Sequence, residues 1–176
     1  MINNEYKCIF VHVIKTGGVS IATALNMKEK QCHFPASHIQ SLLLKRTWRN
    51  YYKFSFVRNP WDKMISQYFF NHSKWVRPET TFSEYIRLLN SGYKVCKQPP
   101  FHSHYLDREL DFIGRFENIQ EDFNAVCDSI EIPRCDLPHK NKSSHKHYTK
   151  YYNNETIKIV GDLFKEDIER FGYEFE

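Results

Sequence analysis

The sequence predicts an α/β fold, a central and mainly parallel sheet flanked by helices, and three observations predict it. Short apolar runs rich in β-branched and aromatic residues alternate along the chain with stretches of helical periodicity. The first such run, with Ile9, Val11 and Val13, reads as a strand covered on both faces, as in a parallel sheet. It passes through Lys15 and Thr16 into Gly17-Gly18 and a helix start, the strand–turn–helix unit on which α/β folds are built. At 176 residues the chain is expected to form one domain, residues 1–176. A hydrophobic content of 41% with 16% aromatics argues for a packed core rather than disorder.

Taken in order, residues 7–13 read as the first strand and residues 19–27 as a helix, with Ile21, Ala22 and Leu25 at helical spacing. A connection containing His33 follows. Residues 36–46 read as one helix with Ile39, Leu42 and Leu43 on a common face, and Lys53 to Val57 as a second strand. After it Asn59 is a good N-cap, Pro60 suits the first helical position, and Asp62 lies in the first turn, where the helix dipole favours it. Trp61, Met64, Ile65, Tyr68 and Phe69 form an apolar stripe along that helix, with Asp62 and Ser66 on its polar side. Phe82 to Leu89 reads as a further helix, 91–104 as a loop, 111–116 as a third strand, and 117–127 as a helix. A polar, basic stretch occupies 133–150, and 155–171 closes the chain as one amphipathic helix.

The turn after the first strand has the chemistry of an anion cradle. Backbone N–H groups converge there, the helix dipole favours negative charge, and glycine lets a ligand approach the main chain. Lys15 adds a point charge, and Thr16 and Ser20 add hydroxyls. The lysine precedes the glycines, so this is not the Walker A order, in which lysine follows the second glycine. Beside it there is no obvious carboxylate pair for Mg²⁺, which metal-dependent phosphoryl transfer requires. Arg58 follows the second strand, at the carboxyl edge where open α/β sheets bind ligands. From there Arg58 and Ser66 can face one anion.

The totals narrow the classes further. A net charge of +4 suits an anionic ligand but falls short of a dedicated nucleic-acid binder. Five scattered cysteines, with no C-x-x-C pair, fit a reducing compartment better than a disulfide framework or a zinc site. Neither a signal-peptide core nor an apolar run of membrane-spanning length is present, so a cytoplasmic location is expected. The sequons at Asn71, Asn141 and Asn154 carry no weight in that setting. His102 with His104, and His145 with His147, lack the companions a metal site needs at ligand spacing.

The stretches VHVIKTGGVSI (Val11–Ile21) and FSFVRNPWDKMISQY (Phe54–Tyr68) resemble the two cofactor motifs of sulfotransferases that use 3′-phosphoadenosine 5′-phosphosulfate (PAPS). The likeness is nearest to the carbohydrate sulfotransferase branch and its small bacterial relatives. It extends through HFPASHI (His33–Ile39), FIGRFENIQEDF (Phe112–Phe123), LPHKNKS (Leu137–Ser143) and DIERFGYEF (Asp167–Phe175). The resemblance implies a P-loop-like three-layer sandwich. It implies that Lys15, Thr16, Gly17, Gly18, Val19 and Ser20 hold the 5′-phosphosulfate, and that Arg58 and Ser66 bind the 3′-phosphate. His33 stands where relatives carry a proposed general base, with His38 the nearest rival. The family usually has Pro in place of Ile14, and Thr or Ser in place of Val19, so one hydroxyl contact is lost.

The expected reaction is sulfuryl transfer from PAPS to an acceptor hydroxyl, on a carbohydrate, with His33 and Lys15 catalytic and no metal required. Residues 75–107 are expected to shape the acceptor site, and the basic tract 139–150 to be a solvated loop or a lid. Two other classes stay open: a P-loop-like nucleotide kinase, and a non-catalytic binder of anionic polymers.

Overall fold

The computed structural model describes residues 1–27, 32–71, 74–138 and 145–176. The chain forms two compact units, Met1–Arg58 with His102–Lys142, and Asn59–Phe101 with Ser143–Glu176. Half of the tract 139–150, residues 139–144, and most of the LPHKNKS stretch lie outside the described residues.

The first unit holds a four-stranded sheet in the order β1 (Ile2–Asn3), β2 (Cys8–Val11), β3 (Tyr52–Val57), β4 (Phe112–Arg115). Strands β2, β3 and β4 are parallel neighbours, and β1 is antiparallel to β2. Alternation along the strands divides the side chains between two faces. Cys8, Phe10, Phe54 and Phe56 form one core with Ile21, Ala22 and Leu25 of α1 (Gly18–Ala24) and its end, and with Phe123, Val126 and Cys127 of α6 (Ile119–Ser129). Ile9, Val11 and Val57 point the other way and are equally buried, which explains the continuous apolar run. The fold is therefore an α/β architecture with a mainly parallel sheet flanked by helices. Helix α6 spans Ile119–Ser129 and is preceded by a 3-10 turn, Phe116–Asn118.

The expected helix over 36–46 is two short helices, α2 (Ala36–Leu42) and α3 (Lys45–Asn50). Leu43 and Leu44 between them are extended. Of the expected apolar face only Ile39 is fully buried, while Leu42 is 68% exposed, so no packing supports continuing the helix. The two-residue β1 was not expected, being too short to show any periodicity.

The second unit is helical: α4 (Pro60–Asn71), α5 (Phe82–Asn90), α7 (Asn154–Leu163) and α8 (Lys165–Phe171). Asn59 caps α4 as expected, its side-chain oxygen accepting from the Trp61 N–H at 3.0 Å. The expected polar side of α4 is corrected: Lys63, Ser66 and Gln67 are buried along with Trp61, Met64 and Ile65, while Phe69 is 40% exposed. Thr81 and Asn153 close capping boxes on α5 and α7. The expected single closing helix breaks at Phe164, whose buried ring meets Phe101 at 4.9 Å between centroids. No described helix is long and apolar enough to cross a membrane.

Candidate active site

The parallel register, Val11 opposite Ser55 and Val57 opposite Arg115, brings the carboxyl ends of β2, β3 and β4 to one edge of the sheet. The loop 12–17 leaves β2 at this edge, Arg58 follows β3 directly, and Phe116 follows β4.

Two residues of the loop are left-handed, Lys15 at φ 61 and Gly17 at φ 77. The second costs nothing at glycine; the first is a conformation that a non-glycine residue holds only when its surroundings enforce it. The Thr16 hydroxyl donates to the Val13 carbonyl at 2.9 Å and is fully buried, so it closes the turn from inside. Gly17 caps α1, and its carbonyl accepts from the Ser20 N–H at 3.0 Å. The N–H groups of Gly18 and Val19 then begin the helix with no intrahelical carbonyl to receive them.

Neither glycine can carry a side chain. A Cβ on Gly17 would lie 2.4 Å from Ile119 Cδ1, and one on Gly18 would lie 2.1 Å from the His12 ring. The loop is thus wedged between α6 and its own strand. Ile14 is buried within it, and Val19 is half-buried at the start of α1.

Arg58 fixes the charge at this edge. One guanidinium nitrogen donates to the Lys15 carbonyl at 3.1 Å, and the guanidinium lies 4.0 Å from the centroid of the Phe116 ring. The Arg58 N–H donates to Nε2 of the fully buried His102 at 3.2 Å. Burial, and then the Arg58 charge, pull the Lys15 ammonium down to about 8. Two cations held close enough to oppose each other make a site that an anion relaxes.

His33, just ahead of α2, reaches the same loop. Its Nδ1 lies 3.1 Å from the His12 carbonyl, which can only accept, so Nδ1 carries the proton. The neutral tautomer leaves the lone pair on Nε2. The His12 ring sits 4.2 Å from that of His33, centroid to centroid, and stacks on Phe10. It is 3% exposed, and its Nδ1 has no hydrogen-bond partner among the described residues. Burial first, and then the His33 and N-terminal charges, push it down to about 3, so it is neutral.

The structure therefore gathers Lys15, Thr16, Gly17, Gly18, Val19, Ser20, His33 and Arg58 in the first unit. Ser66 belongs to the second, buried in the middle of α4. His38 is exposed on α2, its ring 4.7 Å from that of the exposed Phe34. Sequence reasoning did not place His12 or Phe116 at this edge, and it weighed His102 only as a metal ligand. For His12 a signal existed, since alternation puts it on the same face as Phe10. Among the described residues no group of three or more His, Cys, Asp and Glu is placed to hold a metal ion.

A family model described as "Sulfotransferase family" matches residues 1–174. The chain belongs to the sulfotransferase family. It is also similar to an uncharacterized protein of Archaeoglobus fulgidus, 30% identical over 114 residues, covering 56% of this chain and 83% of the relative. No solved structure matches the chain. Family membership makes the protein a transferase of sulfuryl groups to an acceptor hydroxyl. At this edge of the sheet main-chain donors, two cations and a histidine stand together.

Proposed function

We propose that the chain, residues 1–176 acting as one sulfotransferase domain, transfers the sulfuryl group of PAPS to a hydroxyl of a carbohydrate acceptor. The observation that carries this is the Lys15–Arg58 contact beside a loop whose glycines leave no room for a Cβ. Such a cradle fits a phosphosulfate: tetrahedral oxyanions need close main-chain approach, N–H donors and positive charge together. In this reading Lys15 and the N–H groups of residues 17–20 take the 5′-phosphosulfate. Arg58 takes the 3′-phosphate, and on the resemblance Ser66 joins it.

PAPS supplies the activated sulfuryl group and a phosphate leaving group. The protein's own residues supply positioning and charge. Nε2 of His33 accepts the acceptor's hydroxyl proton, in the tautomer that its Nδ1 bond to the His12 carbonyl selects. Lys15 and the loop N–H groups stabilise the negative charge that builds on the leaving oxygen. The Thr16 hydroxyl holds the loop from inside, and on the resemblance Thr16 and Ser20 line the 5′-phosphosulfate site.

Calorimetry with PAPS and 3′,5′-bisphosphoadenosine, followed by a screen of carbohydrate hydroxyl acceptors with radiolabelled PAPS, tests the proposal. Saturable binding of both nucleotides, with label moved to a sugar, is expected. Affinity for neither nucleotide, or Mg²⁺-dependent binding of ATP in preference to PAPS, overturns it.

A further inference from the structure

The opposite edge of the same sheet carries charge that sulfuryl transfer does not use. Around the amino ends of β3 and β4 the first unit forms a cavity of about 730 Å³ that is open to solvent. Its walls include Lys45, Trp48 and Arg49 of α3, Lys53 at the start of β3, and Arg108 and Asp111 ahead of β4. Lys53 and Arg58 are five residues apart along an extended strand, so the cavity lies roughly 16 Å from the cradle.

Its chemistry is one-sided. Lys45, Arg49, Lys53 and Arg108 face two carboxylates, Glu109 and Asp111, which leaves a net +2. Asp111 is already engaged, its carboxylate 2.7 Å from the Lys53 ammonium and also accepting from the Lys53 N–H. Arg108 is held rather than loose, donating to Gln40 Oε1 at 3.2 Å and to the Asp107 carbonyl at 2.7 Å. Lys45 and Arg49 form no ion pair among the described residues. They stand one helical turn apart, where like charges repel, and Trp48 lies between them at i+3 on the same face. The half-buried indole of Trp48 is the large apolar surface of the cavity, with the Lys53 ammonium 5.9 Å from its centroid. Cations that repel one another around an aromatic wall suit a ring that bears an oxyanion: the ring packs on the indole, and the anion relieves Lys45 and Arg49.

We propose that this cavity is a second anion site, independent of the cradle, which binds a ring-borne carboxylate, sulfate or phosphate. An anionic sugar and a nucleoside monophosphate share this chemistry. The two differ in what they mean: a sugar makes the cavity a remote hold on the acceptor, and a nucleotide makes it an effector site.

The full chain is titrated with a sulfated disaccharide, with adenosine 5′-monophosphate and with inorganic sulfate. Each titration is repeated on the Lys45→Ala/Arg49→Ala double variant, on Trp48→Ala and on Lys15→Ala. The expected result is a saturable site for one or both ring ligands that persists in Lys15→Ala, where the cradle is weakened, and that is at least tenfold weaker in the double variant and in Trp48→Ala. Which ring ligand binds more tightly assigns the source. The proposal is overturned if neither ring ligand binds, or if Lys15→Ala abolishes binding that the double variant keeps. Inorganic sulfate binding as tightly as both ring ligands also overturns it, because the ring then contributes nothing. Because Lys15→Ala reports on the cradle alone, failure here and failure of PAPS binding are separate outcomes.

Discussion

Nδ1 of His33 donates to the main-chain carbonyl of His12 across 3.1 Å, while the His12 ring fills the space that only a glycine at position 18 leaves open. One residue thus meets both halves of the proposed chemistry. Its carbonyl orients the base, and its ring supports the loop that faces the leaving group. Because burial holds that ring neutral, it supports both without adding charge to a site already carrying Lys15 and Arg58.

His33→Ala is expected to leave the affinity for 3′,5′-bisphosphoadenosine within twofold of wild type and to lower turnover by about 10²–10⁴, the usual contribution of a positioned base. Calorimetry and single-turnover sulfation read the two effects separately. Equal turnover in the variant and the wild type removes His33 from the proposed mechanism. His38→Ala, at an exposed position on α2, is the matched control.

Gly18→Ala places a methyl group 2.1 Å from the His12 ring, which is stacked on Phe10 and cannot swing away freely. Overpacking of this kind costs about 1–3 kcal/mol. The variant should lower the urea midpoint at an unchanged slope and weaken nucleotide binding as the loop shifts. A midpoint equal to wild type would show that the wedge between loop and strand is looser than described.

The His12 ring should not titrate in the folded state anywhere near its ordinary 6.5, because its folded value is pushed down to about 3. Its folded-state pKa is depressed, so the unfolded chain takes up the proton first. The corresponding stability is intact above about 6.5 and is lost as pH falls toward 3, at up to about 1.4 kcal/mol per pH unit from this ring. The Cε1–H resonance of His12 is therefore expected to stay flat from pH 8 to 5. A midpoint near 6.5 would refute the burial argument.

The parts of this fold that were legible in the sequence are those that local chemistry decides. β-branched runs marked β2, glycine chemistry marked the turn, and Asn59-Pro60 marked the start of α4. Because Arg58 follows β3 directly, its place at the carboxyl edge also followed from order alone. What escaped was set by tertiary packing. Ser66 reads as a polar-side position by periodicity, shared with Asp62, yet the packing of α4 buries it, as it does the neighbouring Lys63. The break at Leu43-Leu44 depends on Leu42 finding nothing to pack against. The strand reading over 7–13 assigned His12 no task, and its place as a support shows only when Gly18 and His33 are brought beside it.

Anion binding in the cradle should depend on pH through Lys15. Burial and the Arg58 charge bring its ammonium down to about 8 from 10.5, so it is charged below that value and neutral above it. Affinity for 3′,5′-bisphosphoadenosine is then expected to be flat up to about pH 7 and to fall through and beyond pH 8. Since a bound anion favours the charged form, the decline should approach tenfold per pH unit. Lys15→Arg keeps its charge throughout and should remove the decline in this range. Arg58→Ala removes one cause of the shift, so its weaker binding should begin to decline at a higher pH. Stability moves in the opposite sense: a lysine whose folded value is depressed costs stability below about pH 8, and the cost lifts between 8 and 10.5. Wild-type affinity that holds steady to pH 10 would show that Lys15 does not bind the anion as a titrating cation, and an Arg58→Ala decline at the wild-type pH would show that the Arg58 charge does not act on Lys15.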